Sequence, residues 1–198
     1  MNWKIFGLKY DKRETWAFEQ MSYLLFCAEF NNRIGLFRYK NQTGLETEPI
    51  EKDGKLYGFQ SKFYTTSIAD NKSDIIDSIK KAKFKNKQLD EFFLYVNQEL
   101  SESTTKDKKK PQYQLDIEES AKAEGINIQW RVPSYIELQL SLPENKYIND
   151  IFFNLDPNEG VLLDEISKHN RNILQAIQTE FYSETNKLKL TEVLWLKR

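Results

Sequence analysis

The chain has 198 residues, enough for one domain with an appendage, and its 29 Lys and Arg nearly balance 30 Asp and Glu. That balance excludes a global positive field, so any nucleic-acid contact must come from a local patch or from a partner. A single cysteine, Cys27, and a single histidine, His169, exclude an intramolecular disulfide and a Cys-type zinc site, and argue on count alone against Ser-His-Asp, Cys-His and His-based metal chemistry.

Trp3 to Leu8 is a short apolar piece followed by charges. Residues 14 to 31 carry Trp16, Tyr23, Phe26 or Cys27, and Phe30 at helical spacing, widened by Met21, Leu24 and Leu25, which predicts a helix. Glu19 falls on that apolar side, where a carboxylate is either paired or aimed at something. One reading is a boundary salt bridge; the other is a contribution to a site in the strands that follow. Cys27, among apolar neighbours, reads as a buried thiol. Residues 32 to 43 mix Ile34, Leu36 and Phe37 with Arg33, Arg38 and Lys40, and read as a loop and an approach strand.

Gly44 to Tyr64 reads as a hairpin turning at Asp53-Gly54. Side chains alternate along a strand. Glu46 and Glu48 therefore share a face of the first strand. On the second, Tyr57, Phe59, Ser61 and Phe63 take the core face, and Gly58, Gln60, Lys62 and Tyr64 the other. Two carboxylates, a carboxamide and an amine gather on one side. Such oxygens suit Mg²⁺. A bound divalent ion activates water and neutralises charge on a phosphate, and a lysine beside it positions the water, helps deprotonate it, or stabilises the transition state. These are the parts for phosphodiester hydrolysis. The plain alternative is a solvated hairpin face with cross-strand Glu/Lys pairs, Glu48 before Pro49 being an edge residue.

Residues 70 to 87 predict a second helix, with Ser73 at the N-cap, Asp74 and Asp77 at the positive end of the dipole, and Ile75, Ile76, Ile79 and Ala82 as the buried stripe. Lys80, Lys81, Lys83, Lys85 and Lys87 crowd its end, either as a solvated terminus or as a DNA-backbone contact. Residues 91 to 97 read as a buried strand. Residues 101 to 112, with Lys106, Lys108, Lys109 and Lys110, have the composition of a surface loop. A helix over 114 to 124 closed by Gly125 and a strand over 126 to 132 form a crossover unit. Tyr135 to Leu142 reads as a short helix. Residues 156 to 182 predict a long helix with Leu162, Ile166, Ile173, Ile177 and Phe181 inward and His169 near that face, and 190 to 196 an apolar strand. The expected architecture is α/β: a mixed sheet flanked by helices over 1–145, and a C-terminal helical extension over 146–198 packed on it. No secretory signal is visible, and no apolar run approaches ~18 residues, so the expected location is cytoplasmic, without a membrane span.

Gly44-Leu45-Glu46, the turn, and Gln60-Ser61-Lys62 in an apolar strand resemble the PD-(D/E)xK nuclease superfamily. The closest likeness is to Mrr-like restriction endonucleases, in which glutamine replaces the usual acidic residue before the lysine. The resemblance implies a restriction-endonuclease-like core and a Mg²⁺- or Mn²⁺-dependent endodeoxyribonuclease. Glu46 then takes the place of the metal-binding aspartate, with Glu48 as its rival, and Gln60 and the helix-borne Glu19 join it at the metal. Lys62 acts on the attacking water. Glutamate for aspartate at the first place is a departure of one methylene. The strings RYKNQTGLETEPI and DGKLYGFQSKFY also resemble N-terminal effector domains of bacterial antiviral proteins that carry a STAND-type ATPase. The likeness covers roughly residues 14 to 97. It implies DNA as a partner, a role in anti-phage defence, and a homo-oligomer or a larger ATPase-containing chain. The alternative is the same fold without catalysis, as a module for nucleic-acid or protein binding or oligomerisation.

Overall fold

The computed structural model describes residues 2–32, 36, 43–103 and 109–154, all of which fall in the unit Met1–Asn154. Arg33, Arg38 and Lys40 of the expected approach strand, Lys106 and Lys108 of the loop, the helix over 156–182 with His169, and the strand over 190–196 lie outside the described residues.

The unit is built on the alternation of strand β2 (Lys55–Lys62). Strand β1 (Ile50–Lys52) pairs with it antiparallel, Lys52 opposite Lys55, across Asp53-Gly54. Both turn residues have positive φ (51° and 72°), the primed geometry that matches strand twist and that Gly54 adopts without strain. Strands β3 (Leu89–Val96) and β4 (Asn127–Arg131) add in parallel, in the order β1-β2-β3-β4. Parallel neighbours need crossovers, and helices α3 (Lys72–Lys85) and α4 (Gln112–Ala123) supply them.

Two cores result. On one face α1 (Trp3–Lys9), α2 (Glu14–Glu29), α5 (Pro133–Ser141) and α6 (Lys146–Phe153) bury Phe6, Phe18, Phe26, Ile136 and Phe152 around Phe59, Phe93 and Tyr95. On the other, Ile75, Ile79 and Ala82 of α3 and Ile117 and Ala121 of α4 cover Leu89, Phe92, Leu94 and Val96. The fold is α/β, with a mixed four-stranded sheet between two helical layers. The face bearing Gln60 and Lys62 is therefore roofed by α3, not left to solvent as a free hairpin face would be. Helix α6, the start of the expected extension, packs into the first core. Cys27 is buried.

Three elements depart from the sequence expectation. Residues 3–9 are helical because Asn2 caps the Lys4 amide (3.0 Å) and Phe6 packs on Phe153 and Tyr10; a helix this short is held by tertiary packing. Helix α3 begins after Asn71 instead of Ser73; the Asn71 side chain instead ties down Thr66 and the Ser67 carbonyl. Helix α5 starts at Pro133, the first-turn position that proline favours. No helix among the described residues is long and apolar enough to cross a membrane.

Candidate active site

The segment before β1 leaves the ladder at Pro49, which has no amide donor, so Glu46 and Glu48 lie on a bent loop and not in a strand. The loop is nevertheless fixed. Gly44 has φ +86°, and a Cβ there would sit 2.5 Å from the Ala82 amide nitrogen and 2.8 Å from the Lys81 carbonyl carbon of α3. Only glycine allows both the conformation and the approach. Leu45 is buried over the bare backbone of Gly58, where a Cβ would meet its methyls at 2.6 and 2.8 Å. The Glu46 amide then donates to the Phe59 carbonyl (3.0 Å). Glu46 is thereby held beside β2, and Gln60 Nε2 donates to its Oε1. The other half of that carboxamide is an orphan: Gln60 Oε1 is buried with no hydrogen-bond partner among the described residues. A buried carbonyl oxygen without a donor costs about 1–3 kcal/mol. Glu48 is exposed and takes no part in this contact.

Two residues on, Lys62 shares the face of Gln60. Its side chain is only 16% exposed, and Nζ lies 2.9 Å from Asp74 Oδ2 in the first turn of α3. Tyr64 donates its hydroxyl to the same oxygen at 2.7 Å. Burial alone would raise the Asp74 carboxyl, but the hydrogen bonds from Lys62 and Tyr64 outweigh it and hold it below its ordinary value. Burial, and then the bond to Asp74, push the Tyr64 phenol well up. The sequence marked Asp74 only as a helix-start residue. The available signal was the short connection over 63–71, which returns the first turn of α3 over the carboxyl end of β2.

The folded Asp74 ionises below its ordinary 3.8. Its stabilising contribution is therefore fully present above that pH and lost as pH falls through the lower folded value. In Asp74→Asn the decline of the urea midpoint between about pH 4 and 2 should be shallower than in the parent. Parallel declines would show that Asp74 is not coupled to folding. Glu91 and Glu118 are also held low, against burial, by Lys55 and Lys110, so the difference between the two proteins is the reading.

Glu19 stands elsewhere. The buried side of α2 is Ala17, Phe18, Met21, Ser22, Leu25 and Phe26. It lies on the aromatic face of β2: Phe18 on Phe63 (ring centroids 5.6 Å), Ser22 near Ser61 (3.4 Å), Phe26 on Phe59 (4.8 Å). Glu19, at the flank of that stripe, springs from a helix on the opposite side of the sheet from Gln60 and Lys62. Trp16, expected inward with it, is exposed. Among the described residues no group of three or more His, Cys, Asp or Glu side chains is placed to hold a metal ion.

The structure thus brings together Glu46 with Gln60, and Lys62 with Asp74 and Tyr64, on one face of β2. A carboxylate and an orphan carbonyl oxygen side by side suit a hard cation that takes one or two protein carboxylates and completes its shell with water and phosphate oxygens. No known protein family matches the chain, and no curated protein does.

Proposed function

We propose that the chain is a Mg²⁺- or Mn²⁺-dependent DNA endonuclease of the PD-(D/E)xK kind with a Gln-x-Lys element, acting as the nuclease effector of a bacterial anti-phage protein in the cytoplasm. Its partners on this reading are DNA and either further copies of itself or a larger ATPase-containing chain. The observation that carries the reading is the orphan Gln60 Oε1 beside Glu46, with Lys62 two residues along the same face.

Glu46 and Gln60 would hold the ion, and a divalent ion there would lower the pKa of a bound water and offset charge on the phosphate. Lys62 Nζ is held 2.9 Å from Asp74 Oδ2. Its role is to orient the attacking water and to stabilise charge on the phosphoryl oxygens. Asp74 and Tyr64 are positioning residues that hold the amine. Water oxygen bonds to phosphorus and gives up a proton to solvent, the ester P–O bond breaks, and the leaving oxygen takes a proton from solvent, so the products are a phosphate monoester and a hydroxyl end. Glu48, in solvent, and Glu19, on a helix across the sheet, stand apart from this site.

A second reading, a non-catalytic module for binding or oligomerisation, draws on there being one carboxylate beside Gln60 among the described residues and on the commitment of Lys62 to Asp74. Nicking of supercoiled plasmid by the full chain, in Mg²⁺ and in EDTA, separates the two. The first reading expects nicking that EDTA abolishes; no nicking in either Mg²⁺ or Mn²⁺ selects the second.

A further inference from the structure

Helix α3 buries Ile75, Ile79 and Ala82 and turns its other side outward. From Ser78 to Leu89 the chain has no acidic residue, and five of the eight residues over 80–87 are lysine. Among these lysines stands Phe84, 82% exposed, the most exposed of the large apolar side chains among the described residues. Lys80 and Lys81 precede it by four and three residues, one helical turn away on the same side. A groove of about 570 Å³ runs past them, lined by Thr43, Lys80, Lys81, Phe84 and Lys85, with Glu124 on its wall. Lys83 is already used: its Nζ donates to the Leu89 carbonyl (2.9 Å). Lysines alone serve solubility. A bare phenyl ring in their midst does not, because it leaves apolar area in water with nothing on it.

We infer that this end of α3 is a docking surface for single-stranded nucleic acid, with phosphates on Lys80, Lys81 and Lys85 and a base stacked on Phe84. The charge fits a polyanion, and the ring fits the flat face of a base. A duplex offers phosphates but keeps its base faces stacked; a single strand offers both. The groove also adjoins the loop that carries Glu46, since Thr43 lines it and Gly44 lies on Ala82 of the same helix. The choice of a phosphodiester polymer rests on the hydrolase reading above; binding itself does not need that site.

The test is fluorescence anisotropy with the full chain in EDTA, using a labelled single-stranded oligonucleotide and the duplex of the same sequence. The single strand should bind more tightly than the duplex. Phe84→Ala should weaken it about fivefold to a hundredfold, and Phe84→Trp should retain it. The Lys80→Ala/Lys81→Ala double variant should weaken both ligands and lower the salt slope by about 1–2. Because EDTA keeps cleavage out of this readout, Phe84-dependent binding without nicking in Mg²⁺ counts against the hydrolase reading alone, and nicking without Phe84-dependent binding counts against this inference alone. Circular dichroism is expected to be unchanged, since Phe84 has so little contact to lose. Equal single-strand binding by parent and Phe84→Ala overturns the inference, as does a parent that fails to bind below millimolar concentration. A Phe84-dependent dimer in sedimentation, with oligonucleotide binding unaffected by Phe84→Ala, overturns it too and assigns the ring to a second copy.

Discussion

Lys62→Ala should lower plasmid nicking in Mg²⁺ by on the order of 10²–10³-fold, the size of effect seen when one preorganised charge-stabilising donor is removed. The fold should survive. Lys62 is ion-paired with Asp74, which is 54% exposed and keeps the Tyr64 hydroxyl. Removing the amine leaves a carboxylate that water can reach, not a buried unpaired charge, so the stability cost is that of a surface pair. Lys62→Arg should not restore activity, because a planar fork reaching Asp74 presents its donors differently from a compact ammonium. Undiminished cleavage by Lys62→Ala, with unchanged circular dichroism, would remove Lys62 from the mechanism.

Gly44→Ala should be the most damaging single methyl in the described residues. An alanine at φ +86° is strained by about 1–3 kcal/mol. The new carbon also falls on helix backbone at 2.5 Å, where no flexible side chain can give way. Overpacking of that kind adds about 1–3 kcal/mol. The expected result is a lower urea midpoint or, where the loop lifts instead, near-parent stability with Glu46 displaced from Gln60 and nicking lost. Gly58→Ala is the control: its added carbon meets mainly the movable methyls of Leu45, so its effect should be smaller. Parent-like stability and nicking in Gly44→Ala would show that the loop is not anchored on α3.

Much of this fold is written in local pattern. The alternation from Tyr57 to Tyr64 places Gln60 and Lys62 on one face and Tyr57, Phe59 and Phe63 on the other, as the strand pleat dictates. The apolar run in β3 marks a strand buried on both sides, and Gly125, at φ +68°, ends α4 where expected. What local pattern does not carry is partnership across distance. Nothing near Lys62 in sequence says that Asp74 will meet it; that depends on a crossover helix returning over the strand end. Glu19 shows the converse. Helical spacing puts it on an apolar stripe, yet spacing is silent on which face of the sheet the stripe will cover. Glu46 and Glu48 looked equivalent by strand alternation, until Pro49 broke the ladder and Gly44 pinned the loop, leaving one carboxylate at Gln60 and the other in solvent. Residues 3–9 and 146–153 became legible as core helices only through the rings they bury, Phe6 against Phe152 and Phe153.

The claim on which the functional reading stands is that the Glu46 carboxylate and the unsatisfied Gln60 oxygen are two ligands of one divalent ion. Titration calorimetry of Mg²⁺ and Mn²⁺ into the full chain, with Glu46→Ala and Gln60→Ala alongside, addresses it without any substrate. One saturable site is expected in the parent, lost in Glu46→Ala and weakened in Gln60→Ala, with Glu48→Ala unchanged. A parent that takes up neither ion, or a site indifferent to Glu46 and Gln60, would contradict it.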